Sequence, residues 1–111
     1  MGLNKMELWG QKFENPGLME KAGLNFCLMQ DGNTSTKFLP YNIGYCIARG
    51  LSLEKAFEAV TMAPAKILGL EDRVGSLEPG KDADLAIFSG NPFSNFTICE
   101  KTIIDGTVYV N

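Results

Sequence analysis

The sequence predicts a mixed α/β chain: helices around one buried strand, followed by short strands in a C-terminal β-meander. Three observations carry that expectation. Leu24–Met29 is a near-continuous apolar run of strand length, the pattern of strands covered on both faces. Between residues 38 and 68, apolar residues recur at helical spacing. After Leu70 the signals change to β-rich runs separated by turn dipeptides.

The elements follow in order. Residues 1–14 are weakly patterned. Asn15-Pro16-Gly17 opens a short helix, with Asn15 able to cap and Pro16 in the first turn, where its missing N–H costs nothing. Gly23 ends it. The apolar run 24–29 gives way to the polar loop Gln30-Asp31-Gly32-Asn33-Thr34-Ser35-Thr36. Phe38–Arg49 reads as the next helix, with Leu39, Ile43, Cys46 and Ile47 on one face and Gly50 as its stop. Ser52 caps a further helix with Glu54 in its first turn, near the positive end of the dipole. Thr61 caps a third that runs through Leu68 to Gly69. Val74–Leu77 reads as a short strand. Glu78-Pro79-Gly80-Lys81 fits a type II turn, with proline second and glycine third. Asp84–Phe88 is the next strand, Asn91-Pro92 a loop, and Asp105-Gly106 a hairpin turn between Thr97–Ile104 and Thr107–Val110. Two hairpins are marginally stable alone, so the β tail requires a covering sheet or partner.

Composition narrows the function. The chain has 111 residues, 45% apolar and 21% charged, a globular balance. A complete (β/α)₈ barrel needs roughly 250 residues. The net charge is −3 and the ten Lys and Arg residues are scattered, which disfavours nucleic acid and membrane surfaces as partners. No stretch approaches the roughly 20 apolar residues of a membrane span, and no signal-peptide pattern opens the chain. There is no histidine. Its absence removes the usual general base and the commonest metal ligand. Cys27, Cys46 and Cys99 are an odd, widely spaced set, read as free, inert thiols in a reducing cytoplasm.

Three segments resemble the metal-dependent amidohydrolases. Ala59-Val60-Thr61-Met62-Ala63-Pro64-Ala65-Lys66-Ile67-Leu68-Gly69-Leu70 is similar to that superfamily's T-x-x-P-A-k-x-L-G-L helix. Val74-Gly75-Ser76-Leu77-Glu78-Pro79-Gly80-Lys81-Asp82-Ala83-Asp84-Leu85-Ala86-Ile87-Phe88 resembles its G-s-l-e-x-G-k-D-A-D-l-v-i segment. Ile104-Asp105-Gly106-Thr107-Val108-Tyr109 resembles its closing v-x-V-D-G-k-x-v. The imidazolonepropionase-like subgroup is the nearest in kind. The resemblance implies a fold: residues 1–70 as the last βα units of a (β/α)₈ barrel, and residues 71–111 as C-terminal strands of a small β-sandwich built from both chain ends. It also implies chemistry, the hydrolysis of C–N bonds in amides, cyclic amides or amidines, with one or two zinc or iron ions activating water.

Of the family's site residues only the aspartate that closes the last barrel strand maps here, onto Asp31. The competing reading makes Asp31 a turn aspartate satisfied by following backbone amides. One carboxylate cannot supply the roughly three protein ligands of a catalytic zinc, so no metal or cofactor is expected in this chain alone. Asp82 and Asp84 read as structural, Gly75 and Gly80 as turn glycines, and the hydroxyls of 34–36 have no base to activate them. Trp9, Phe13 and Phe96 read as core or interface residues. Three readings stay open: a remnant or C-terminal piece inactive alone, one half of a split hydrolase completed by another chain, and a non-catalytic binding or oligomerising module. All share the expectation of exposed sheet edges covered by a homo-oligomer or a complementing chain.

Overall fold

A computed structural model describes residues 12–30, 32 and 36–111. Four helices precede a three-stranded sheet: α1 (Asn15–Lys21), α2 (Leu39–Ala48, entered through a 3₁₀ turn at Thr36–Phe38), α3 (Leu53–Val60), α4 (Met62–Ile67), β1 (Leu85–Phe88), β2 (Cys99–Ile104) and β3 (Thr107–Val110).

The helix boundaries follow local chemistry. The Ser52 side chain accepts from Lys55 N at 3.1 Å, capping α3 as expected. Ser52 also donates its hydroxyl to Glu20 Oε1, and its N–H reaches Glu20 Oε2 at 2.9 Å, tying α1 to the start of α3. Gly23, Gly50 and Gly69 end their helices at positive φ. Two caps differ from expectation. Glu14 holds the N-cap position of α1, with no side-chain cap bond, and Asn15 lies inside the helix. Thr61 stands at the N-cap of α4, but its hydroxyl bonds backward to Phe57 O at 2.7 Å. The α3–α4 junction is too tight for an extended cap, and the hydroxyl takes the nearest free carbonyl instead.

The core is small. Phe26, Ile43, Cys46, Leu51, Ala56, Ala59 and Phe93 form it, with Phe13, Met19, Leu28, Leu39, Ile47 and Val60 packed around them. Alanines on α3 let α2 approach, since a fully buried Ala56 and Ala59 leave no bulk between the helices.

The expected strand at 24–29 does not form. Phe26 is buried, but Leu24 and Met29 are 51% and 73% exposed. The segment is tied to the helices through Leu28 N, which donates to Ala59 O at 3.0 Å. A strand needs a neighbouring strand, and none lies beside it among the described residues. The expected strand at Val74–Leu77 is also absent: the chain turns there, with Gly75 at φ 100° close to Met62 and Ala65 of α4. Of the five expected strands, three form.

Those three form an antiparallel sheet in the order β1-β2-β3. Leu85 pairs with Ile103, and Ile103 with Val108. A bulge interrupts β1 between Ile87 and Phe88. Asp105 and Gly106 both have positive φ, 48° and 80°, as a two-residue hairpin turn of the I′ kind requires. The type II turn holds as well: Lys81 N reaches Glu78 O at 3.2 Å, with Gly80 at φ 93°.

The loop between β1 and β2 joins the two layers. Asn91 Oδ1 accepts from Phe93 N at 3.0 Å, curling the loop so that the Phe93 ring enters the core 5.0 Å from Phe57. Gly44 of α2 lets the Phe93 carbonyl lie against the helix; a Cβ there would sit 2.5 Å from that oxygen. No helix among the described residues is long and apolar enough to cross a membrane.

Candidate functional site

Asp31 and residues 33–35 lie outside the described residues, as does Trp9. What the structure gives is the frame on either side of Asp31. Before it, the Asn42 Nδ2 of α2 donates to Gln30 Oε1 at 2.8 Å. Phe26 anchors the segment in the core, with the Lys55 Nζ 5.1 Å above its ring. After it, Thr36 Oγ1 donates to Gly32 O at 2.6 Å, closing the loop onto the 3₁₀ turn. Gln30 is thus tied to α2, and Gly32 to the 3₁₀ turn that leads into it.

The chemistry of the donor set is decisive for a metal. The chain has no histidine, and among the described residues no three His, Cys, Asp or Glu side chains could hold an ion together. These residues do not fit the zinc or iron centre that the resemblance implies.

The Asp-Ala-Asp segment is structural, as the sequence suggested. Arg73 Nη2 donates to Asp82 Oδ2 at 2.8 Å, and Asp82 N returns a bond to Arg73 O. Asp84 Oδ1 accepts from Asp105 N at 2.8 Å, and Gly106 N reaches Ala83 O, so this strap fastens the hairpin turn to the start of β1. Sequence reasoning missed the polar knot beside it. Lys81 is nearly buried, with its Nζ on Glu71 O, Ser76 Oγ at 2.7 Å and Glu78 Oε2 at 3.0 Å. Hydrogen bonds from Ser76 and then Lys81 hold the Glu78 carboxyl below its usual range. Cys27, Cys46 and Cys99 are free; Cys27 and Cys99 are half-buried, and burial pushes the Cys46 thiol up, away from reactivity. Phe13 packs on Tyr45, whereas Phe96 is 92% exposed and lies outside the core.

An apolar cavity of about 780 Å³ opens between the helices and the sheet, walled by Ile43, Val60, Leu70, Leu85 and Phe88. Its polar neighbours Thr61, Asp82 and Asp84 already have partners.

A family model described as "Amidohydrolase family" matches residues 14–110. The chain belongs to the amidohydrolase family. The match runs through all three segments that resembled it and confirms that resemblance. Among curated relatives, the imidazolonepropionase of Maricaulis maris is 40% identical over 75 residues, covering 63% of this chain and 18% of that protein. The probable allantoinase 2 of Dictyostelium discoideum is 41% identical over 58 residues, covering 52% of this chain and 11% of that protein. A crystal structure of an amidohydrolase from Thermotoga maritima superposes with a TM-score of 0.93 at 36% identity, covering all of this chain and 30% of that one. This amidohydrolase sequence therefore spans less than a fifth of either curated relative and under a third of the Thermotoga protein.

Proposed function

We propose that this amidohydrolase chain serves the hydrolysis of non-peptide C–N bonds, in cyclic amides or amidines, as the closing part of a larger site. In this reading residues 1–70 supply the last βα units of a (β/α)₈ barrel, and residues 71–111 supply strands of a composite sandwich. Asp31 is the carboxylate this chain lends, between Gln30, which accepts from Asn42, and Gly32, which accepts from Thr36. The metal-binding histidines and the missing strands come from elsewhere, from the rest of a longer protein or a complementing chain. The carrying observation is the family match over residues 14–110 in a sequence without histidine. The imidazolonepropionase similarity supports a cyclic amide, and the odd, unpaired cysteine set supports a reducing, cytoplasmic setting.

The test is hydrolysis of cyclic amides, with elemental analysis, by the chain alone and after co-expression with the preceding two-thirds of the Thermotoga amidohydrolase. Expected is no turnover alone, and chelator-sensitive turnover in the complex that Asp31→Asn abolishes. Stoichiometric metal and turnover by the chain alone overturn the reading.

A further inference from the structure

The sheet ends on β3, and among the described residues nothing pairs with its outer edge. Which backbone groups that edge offers follows from the register. In a two-residue hairpin the pair flanking the turn, Ile104 and Thr107, exchanges both N–H···O bonds. Bonded and non-bonded pairs then alternate, so Thr102–Tyr109 is bonded, while Ile103–Val108 and Lys101–Val110 are not. Asn111 N, reaching Glu100 O at 3.0 Å, keeps the same alternation. Val108 and Val110 therefore turn their N–H and C=O groups outward.

We propose that this edge pairs with the β3 edge of a second copy, antiparallel, about a two-fold axis at Tyr109. The strand is complementary to itself. In that register Val108 faces Val110 of the other copy and Val110 faces Val108, each a bonded pair, so four hydrogen bonds leave no outward group of Val108 or Val110 unused. Tyr109 meets its own copy as a non-bonded pair, the closer kind, where aromatic rings interact.

The side-chain rows also continue across the seam. The row Leu85–Ile103–Val108 meets Val110 of the copy, and the row Ile87–Lys101–Val110 meets Val108. Apolar side chain follows apolar side chain across the junction, and no two like charges face each other. Natural edges refuse partners with charge, proline or a bulge. Thr107-Val108-Tyr109-Val110 has none of these, and all four residues are exposed. The opposite edge, β1, carries the bulge at Ile87/Phe88. A six-stranded sheet with a bulged β1 at each outer edge is the outcome, and under the proposed function it requires that the strands completing the sandwich leave the β3 edge open.

Light scattering on the full chain tests it. The expected mass is that of two chains. Val108→Pro removes an outward N–H and leaves the β2–β3 bonds intact, so the mass drops twofold while the helical circular dichroism is kept. Tyr109→Cys keeps the test valid should that proline unfold the hairpin. Under mild oxidation, mass spectrometry should find a disulfide joining position 109 of two copies, since such pairs lie within disulfide reach. A single-chain mass over a dilution series overturns the proposal. So does a dimer that survives Val108→Pro and yields no bond between positions 109.

Discussion

Gly44→Ala sets two known effects against each other, and its sign reports whether the Phe93 loop rests on α2. On helix propensity alone, alanine at an interior helix position stabilises by about 1 kcal/mol over glycine. The packing opposes it. The new Cβ would sit 2.5 Å from the Phe93 carbonyl oxygen, against an ordinary contact of about 3.4 Å. The loop must therefore retreat by roughly 0.9 Å, and its obstacle is backbone, which cannot rotate away. Phe93 travels with the loop, drawing its ring from the core and from Phe57. Overpacking of this kind costs about 1–3 kcal/mol. The difference is a loss of up to about 2 kcal/mol, a fall in Tm of up to roughly 9 °C for a chain of this size. Thermal unfolding followed by circular dichroism measures it. A rise in Tm would refute the reasoning, because it would mean that propensity acts unopposed and the loop does not lie on the helix.

Further outcomes follow from the same contacts. Ser52→Ala removes the α3 cap and should cost about 1 kcal/mol in denaturant unfolding. Its hydrogen bonds hold the Glu20 carboxyl below the ordinary 4.5, so the bonded carboxylate stabilises the fold above that pH. The advantage of the parent over Ser52→Ala should be complete near neutrality and shrink as pH falls through the lowered folded value; a constant difference in melts across acid pH would contradict it. Asp84→Ala deprives Asp105 N of its acceptor and should lose about 0.5–1 kcal/mol, whereas Asp84→Asn keeps the oxygen and most of the stability. Equal losses in chemical denaturation would show that the strap does not matter. Gly75→Ala meets both a positive φ and the Met62 sulfur at 2.8 Å, and should lower the unfolding free energy, read from denaturant melts, by about 1–3 kcal/mol.

Local signals survived into the structure where the chemistry itself is local. Ser52 at the N-cap of α3, Pro79-Gly80 and Asp105-Gly106 each specify a backbone geometry through neighbouring atoms alone, and each forms as read. The run Leu24–Met29 failed because its apolarity states that it is covered, not by what; helices α2 and α3 cover Phe26, and no ladder forms. Val74–Leu77 failed because Gly75 against α4 turns the chain more strongly than two branched residues extend it. The family was legible in three motifs; among their residues, Ser76, Glu78 and Lys81 form the polar knot, and Ala83, Asp84, Asp105 and Gly106 brace the hairpin. The knot itself escaped notice because Glu71, Ser76, Glu78 and Lys81 have no periodicity to reveal that a single ammonium gathers them.

The Phe93 loop has a dynamic consequence. The helices pack on one another and the strands pair with one another, while the cavity leaves little contact between the two layers. A chain joined this way has two cooperative units with one hinge of shared stability. Native-state hydrogen exchange should divide accordingly: amides of β1 to β3 would open together at a lower free energy than those of α2 and α3, without unfolding the helices. Phe93→Ala would widen that gap, loosening the sheet's attachment more than it loosens either layer, so one aromatic ring sets how independently the halves of this chain breathe.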